Sequence, residues 1–125
     1  MENLILSQTE DTPEVVFDIE NNIFRISGRS LPENAVAFYI PLIDWLKEFG
    51  QSTISSMIFH FKLDYFNTAS AKQITKLLLE LQRIAETKNI DIKWHYYIED
   101  HDIKSSGSRF AKLIKANIEL IPFED

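Results

Sequence analysis

The clearest pattern in the chain is a strict alternation from Ser56 to Leu63. Met57, Phe59, Phe61 and Leu63 fall on one side and Ile58, His60 and Lys62 on the other, the period of a strand with one apolar face. After a polar turn the period changes. Ala71, Ile74, Leu77, Leu78, Leu81, Ile84 and Ala85 recur at three- and four-residue spacing, while Lys72, Gln73, Lys76, Glu80, Arg83 and Glu86 are assigned to water. That is an amphipathic helix whose stripe can cover the strand's apolar face.

The same reading extends in both directions. Val15–Ile19 and Ile23–Ser27 are short β-prone runs separated by Glu20-Asn21-Asn22, a turn in which Asn accepts positive φ, so they predict an antiparallel hairpin. Phe38, Leu42, Trp45, Leu46 and Phe49 share one helical face. Ser30 (with Glu33) or Asn34 is its candidate cap, Gly50 its stop and Pro41 a predicted kink. Ile90–Ile98 alternates as another strand, Glu99–Ser108 reads as a polar loop, Arg109–Ala116 as a short helix, and Ile118–Ile121 as an edge strand stopped by Pro122. The order β-β-α-β-α-β-α-β predicts an α/β domain with a mixed sheet, two β-α-β units and helices mainly on one face. Residues 13–125 form this single domain, and residues 1–12 are expected to be a flexible N-terminal arm.

The helix start at the Asp64–Ser70 turn carries the most suggestive chemistry. Ser70 with Gln73 has capping-box spacing, which makes Ser70 the predicted N-cap and leaves Thr68 in the exposed turn before it. The free amides and dipole of a helix start favour an anion, and Lys72 in the first turn adds to that preference. Thr68 is therefore the candidate phosphorylation site, against the plainer reading of a capping hydroxyl. Asn67, Thr68, Ser70 and Lys72 are the candidate partner-binding residues.

Composition narrows the classes. The 125 residues are 45% hydrophobic and 26% charged, with 3 Gly and 4 Pro, as for one globular domain. A formal charge of −6 disfavours nucleic acid and anionic membranes. There is no cysteine, which excludes disulfides and thiolate chemistry. The N-terminus lacks a signal peptide's pattern and no stretch is long and apolar enough to span a membrane, so a cytoplasmic location is expected. There is no nucleophile elbow and no glycine-rich phosphate loop, so a non-enzymatic protein without a cofactor is expected. His60 and His95 are expected on neighbouring strands without a third ligand to make a metal site. With Lys62 and Lys93 they predict a sheet face partly open to water and locally positive. Trp45, Trp94, Phe59 and Phe61 belong to core faces, whereas Tyr39, Tyr65 and Tyr97 are candidates for a contact surface.

Four segments occur in an order and spacing that resemble one family: Ser30-Leu-Pro-Glu-Asn34, Pro41 with Asp44-Trp-Leu46, Tyr65-Phe-Asn-Thr-Ala-Ser-Ala-Lys72 and Lys93-Trp-His-Tyr96. Together, from about Phe17 to Phe123, they resemble the SiaC family of bacterial regulatory phosphoproteins, most specifically in the L-x-Y-x-N-T-x-S run from Leu63 to Ser70. The resemblance implies a fold like the STAS domains of anti-sigma-factor antagonists. It also implies a switch in which a dedicated Ser/Thr protein kinase phosphorylates Thr68 and a PP2C-like phosphatase clears it. The unphosphorylated form would bind and activate a diguanylate cyclase, a GGDEF protein, in control of cyclic di-GMP and biofilm formation. An antagonist acting on an anti-sigma kinase and a constitutive protein or small-ligand binding module are the alternative readings. The chain departs from the family pattern at Leu31, where an aromatic is usual, and in the basic run Lys104–Arg109.

Overall fold

The computed structural model describes residues 1–125. One six-stranded sheet takes its strands in chain order: β1 (Leu4–Leu6), β2 (Glu14–Asp18), β3 (Ile23–Ser30), β4 (Ser56–Phe66), β5 (Asn89–Tyr97) and β6 (Asn117–Phe123). The first three are antiparallel neighbours, and β3 to β6 are parallel. Helices α1 (Ala35–Gly50), α2 (Thr68–Ile84) and α3 (His101–Leu113) form the three crossovers, so there are three β-α-β units rather than two. Successive crossovers of one hand, stepping one strand at a time across the sheet, bring all three helices to the same face.

That face holds the core. Phe17, Phe24, Ile26, Phe59, Phe61, Ile92 and Trp94 from the sheet meet Leu42, Leu46 and Phe49 of α1 and Ile74, Leu77, Leu78 and Leu81 of α2. The β2–β3 turn is as expected: Asn22 has φ 56, and the Asp18 carboxylate accepts from the Asn21 backbone and side-chain amides. Those bonds hold the Asp18 carboxyl below its ordinary value.

Several expectations are corrected. The arm is not loose throughout, because Leu4–Leu6 pairs with β2, Trp45 Nε1 donates to the Glu2 carbonyl at 2.8 Å and Leu31 N–H to that of Asp11. Pro41 does not interrupt α1, which runs on to Gly50. Tyr39 is fully buried rather than at a contact surface, whereas Tyr65 and Tyr97 are exposed. Gln73 and Glu80 are buried although α2's pattern assigns them to water; Glu80 is paired with Arg83. Most of the expected Glu99–Ser108 loop is helix: Asp100 caps it through Ile103 N–H, and Ile103 and Gly107 face inward while Leu113 is 61% exposed. Strand β6 runs through Pro122, which an edge strand tolerates.

The opposite sheet face is open, as expected, but its charges are largely matched. Arg25 pairs with Glu14 at 3.1 Å and Lys93 with Glu119 at 2.7 Å, and Lys62 lies over the Phe123 ring. The positive centre is offset because β2 and β6 contribute acids beside it. His60 Nδ1 and His95 Nε2 are 2.9 Å apart, with rings stacked. Burial first, then nearby positive charge, lowers both imidazole pKa values below 6.5. Protons therefore bind the unfolded chain before the folded one as pH falls below 6.5, and stability is lost in that direction. The expected result is a lower Tm at pH 5.5 than at pH 7.5, with part of that slope absent from a His60→Gln/His95→Gln variant. A slope unchanged in the variant would assign the effect to other groups.

Candidate functional site

Helix α2 begins where β4 leaves the sheet, and Asn67 rather than Ser70 makes its start. The Asn67 Oδ1 accepts from Ser70 N–H at 2.8 Å, and its carbonyl accepts from Ala71 N–H at 2.9 Å. Asparagine is among the strongest N-caps, and this one takes the role directly after the last residue of β4. The expected cap is thereby corrected, and Thr68 becomes the first residue of the helix instead of lying in the turn before it.

Ser70 is freed for another task. Its Oγ donates to the Ser30 carbonyl at 3.0 Å and accepts from Ser30 Oγ at 2.9 Å; Tyr39 OH lies 2.7 Å from Ser30 Oγ. Since the Ser30 proton is directed to Ser70, the phenol donates to Ser30. All three residues are fully buried. The relay joins the end of β3, the first turns of α1 and the first turn of α2, and Asn67 N–H to the Ser30 carbonyl adds a fourth strand of the same tie. Burial pushes the Tyr39 phenol up to about 12, Ser30 opposing the shift, so it stays a neutral donor. Ser70 as a partner-contacting residue is thus corrected: its side chain is inside, and it positions the site from below.

The tie sets the starts of α1 and α2 side by side. Between them lies an open cleft of about 790 Å³. Its α1 wall is Glu33, Asn34, Ala35 and Val36, and its α2 wall is Thr68, Ala69, Lys72 and Gln73. Thr68 and Lys72 are exposed, one helical turn apart, and Asn67 is half-buried beneath them. Of the four residues predicted as a partner surface, the structure therefore brings Thr68 and Lys72 together at the cleft and uses Asn67 and Ser70 to build it. Asn34 caps α1 through Ala37 N–H at 3.1 Å, leaving the two helix starts with their positive dipole ends facing one recess. Nothing in the recess resembles catalytic machinery: the titratable groups on its walls are one carboxylate and one ammonium, without a histidine. Nor do His, Asp or Glu side chains gather anywhere in groups of three that could hold a metal ion.

The α1 wall was not legible as part of the site in the sequence. The available signal was Ser30, a small polar residue at the next inward position of β3 after Phe24, Ile26 and Gly28. A buried hydroxyl there requires partners.

Comparison with known proteins gives a consistent answer. The SiaC family regulatory phosphoprotein model matches residues 6–123. An uncharacterized protein of Pseudomonas aeruginosa (strain UCBPP-PA14) is 27% identical over 113 residues, 90% of each chain. Apo-SiaC from Pseudomonas aeruginosa superposes with a TM-score of 0.88 at 22% identity, over 97% of this chain and 99% of that one. A chain from the crystal structure of the diguanylate cyclase SiaD in complex with its activator SiaC, from the same organism, gives 0.90 at 21% identity, over 96% and 99%. The structural likeness establishes a shared architecture, and the family match runs from β1 to the end of β6: the chain belongs to the SiaC family of regulatory phosphoproteins.

Proposed function

We propose that this chain is a non-enzymatic, phosphorylation-switched activator of a diguanylate cyclase, acting in the cytoplasm. Unphosphorylated, it docks the cyclase with the surface around the α1–α2 cleft, including Thr68 and Lys72. A Ser/Thr protein kinase adds a phosphoryl group to Thr68, and a PP2C-like phosphatase removes it. The observation that carries this reading is the position of Thr68: an exposed residue opening a long helix, at the mouth of a cleft tied from below by the Ser30–Ser70 hydrogen bonds. The SiaC of like fold that activates SiaD lends the identity of the partner class.

The physics of the switch follows from charge and bulk. Phosphate adds about −1.5 to −2 charges where there were none. At a helix start this leaves the fold intact, so the modification acts on docking through steric bulk, desolvation and repulsion. The test is a titration of purified cyclase with three forms of the chain, reading affinity and cyclic di-GMP synthesis. Unmodified protein and Thr68→Ala should both bind and activate, and the Thr68-phosphorylated form should bind at least tenfold more weakly. A folded Thr68→Ala protein that fails to bind, or a phosphorylated form that binds as well as the unmodified one, would sink the proposal.

A further inference from the structure

Gln73 is only 5% exposed, yet its carboxamide has no hydrogen-bond partner in the chain. No buried side-chain polar atom is left orphaned, so the carboxamide keeps part of the little exposure Gln73 has, and Gln73 lines the cleft. Lys72, on the same wall, takes part in none of the chain's ion pairs. The amides of Thr68 and Ala69 have no carbonyl one turn back in α2, while that of Ser70 is used by Asn67. The cleft therefore presents an unpartnered amide group, a free ammonium and two helix starts, with the Glu33 carboxylate as the opposing charge on the far wall.

We infer that the phosphate on Thr68 is held by this chain itself, in the α1–α2 cleft, by the Lys72 ammonium and the Gln73 carboxamide together with the first amides of α2. This rests on the reading of Thr68 as the modified residue and adds how the modification acts. The phosphoryl group does not project into solvent as a loose charge. It turns back into the recess, one helical turn from Lys72, and occupies the volume a partner would enter. Phosphate then stabilises the folded chain while it closes the docking site.

The test uses full-length chain carrying phosphothreonine at position 68, introduced during synthesis, alongside the unmodified chain. A ³¹P NMR titration reads the second ionisation of the phosphate, which is about 6 when unperturbed. Capture predicts a value at least half a unit lower, returning most of the way in Lys72→Met. It also predicts a higher Tm for the phosphorylated than for the unmodified chain at low salt, the difference shrinking in Gln73→Leu when each variant is compared with its own unmodified form. A phosphate that titrates near 6, or whose titration ignores Lys72, overturns capture, as does a lower Tm on phosphorylation. Cyclase binding is measured on the same samples. If phosphate is captured but binding is unaffected, capture stands and the switch reading falls. If binding is blocked while the phosphate titrates freely, the switch stands and capture falls.

Discussion

Ser30→Ala should lower the stability of the chain by about 2 kcal/mol although it removes a single oxygen, because it strands a buried donor. Tyr39 is fully buried, its hydroxyl lies 2.7 Å from Ser30 Oγ, and no other partner receives it. The desolvation of that phenol is uncompensated in the variant, while Ser70 keeps its bond to the Ser30 carbonyl. At roughly 4 °C per kcal/mol for a chain of this size, Tm should fall by about 8 °C. The double variant Ser30→Ala/Tyr39→Phe should recover most of that loss, since removing both partners of a buried hydrogen bond costs far less than removing one. A single variant within about 0.5 kcal/mol of the parent, with no recovery in the double, would show that the relay contributes little.

The same experiment reaches the site. The relay fixes the distance between the starts of α1 and α2, and these are the two walls of the cleft. A double variant that regains stability without the relay should still bind a partner less tightly, since the walls are no longer held in register.

How much of this was legible before the structure depends on the range of the interaction involved. Strand β4, helix α2 and the hairpin from Glu14 to Ser30 were readable because alternation, helical spacing and the Asn-rich turn are local signals. Strand β1 was not, since three residues carry no period and its pairing is supplied by the exposed edge of β2. Helix α3 was obscured by Ser105-Ser106-Gly107-Ser108, weak helix formers that tertiary contact overrides. At the cleft, the exposure of Thr68 and Lys72 was legible from their place at a helix start. The relay was not found, because Ser30 and Ser70 are 40 positions apart and only the folded sheet brings them together. The capping-box spacing of Ser70 to Gln73 masks Asn67, whose own side chain accepts from Ser70 N–H. In the structure, Gln73 turns into the cleft instead.

The glycine that made α3 look like a loop is also its most constrained position. A Cβ at Gly107 would lie 2.6 Å from Trp94 Nε1 and 2.8 Å from Leu120 Cδ2, and nearer still to Trp94 Cδ1. Trp94 cannot move aside easily: its indole donates to the Ile103 carbonyl at 2.9 Å, and its ring packs on Phe61 and Phe110 with centroids 5.3 and 5.4 Å away. Gly107→Ala gains about 1 kcal/mol of helix propensity. Against this it forces α3 off the sheet or the indole from its bond, an overpacking cost of about 3 kcal/mol or more. The net expectation is a loss of about 2 kcal/mol, rising to about 3 for Gly107→Val, whose two γ-methyl groups add bulk beyond the Cβ that already meets this wall. Denaturant unfolding gives the magnitude, and the Trp94 indole N–H resonance should move, reporting the lengthened bond to Ile103. An alanine variant more stable than the parent would mean that helix propensity outweighs contact and that α3 packs loosely on β5 and β6. The prediction thus decides whether the third crossover is packed as tightly on the sheet as the contacts of Gly107 with Trp94 and Leu120 imply.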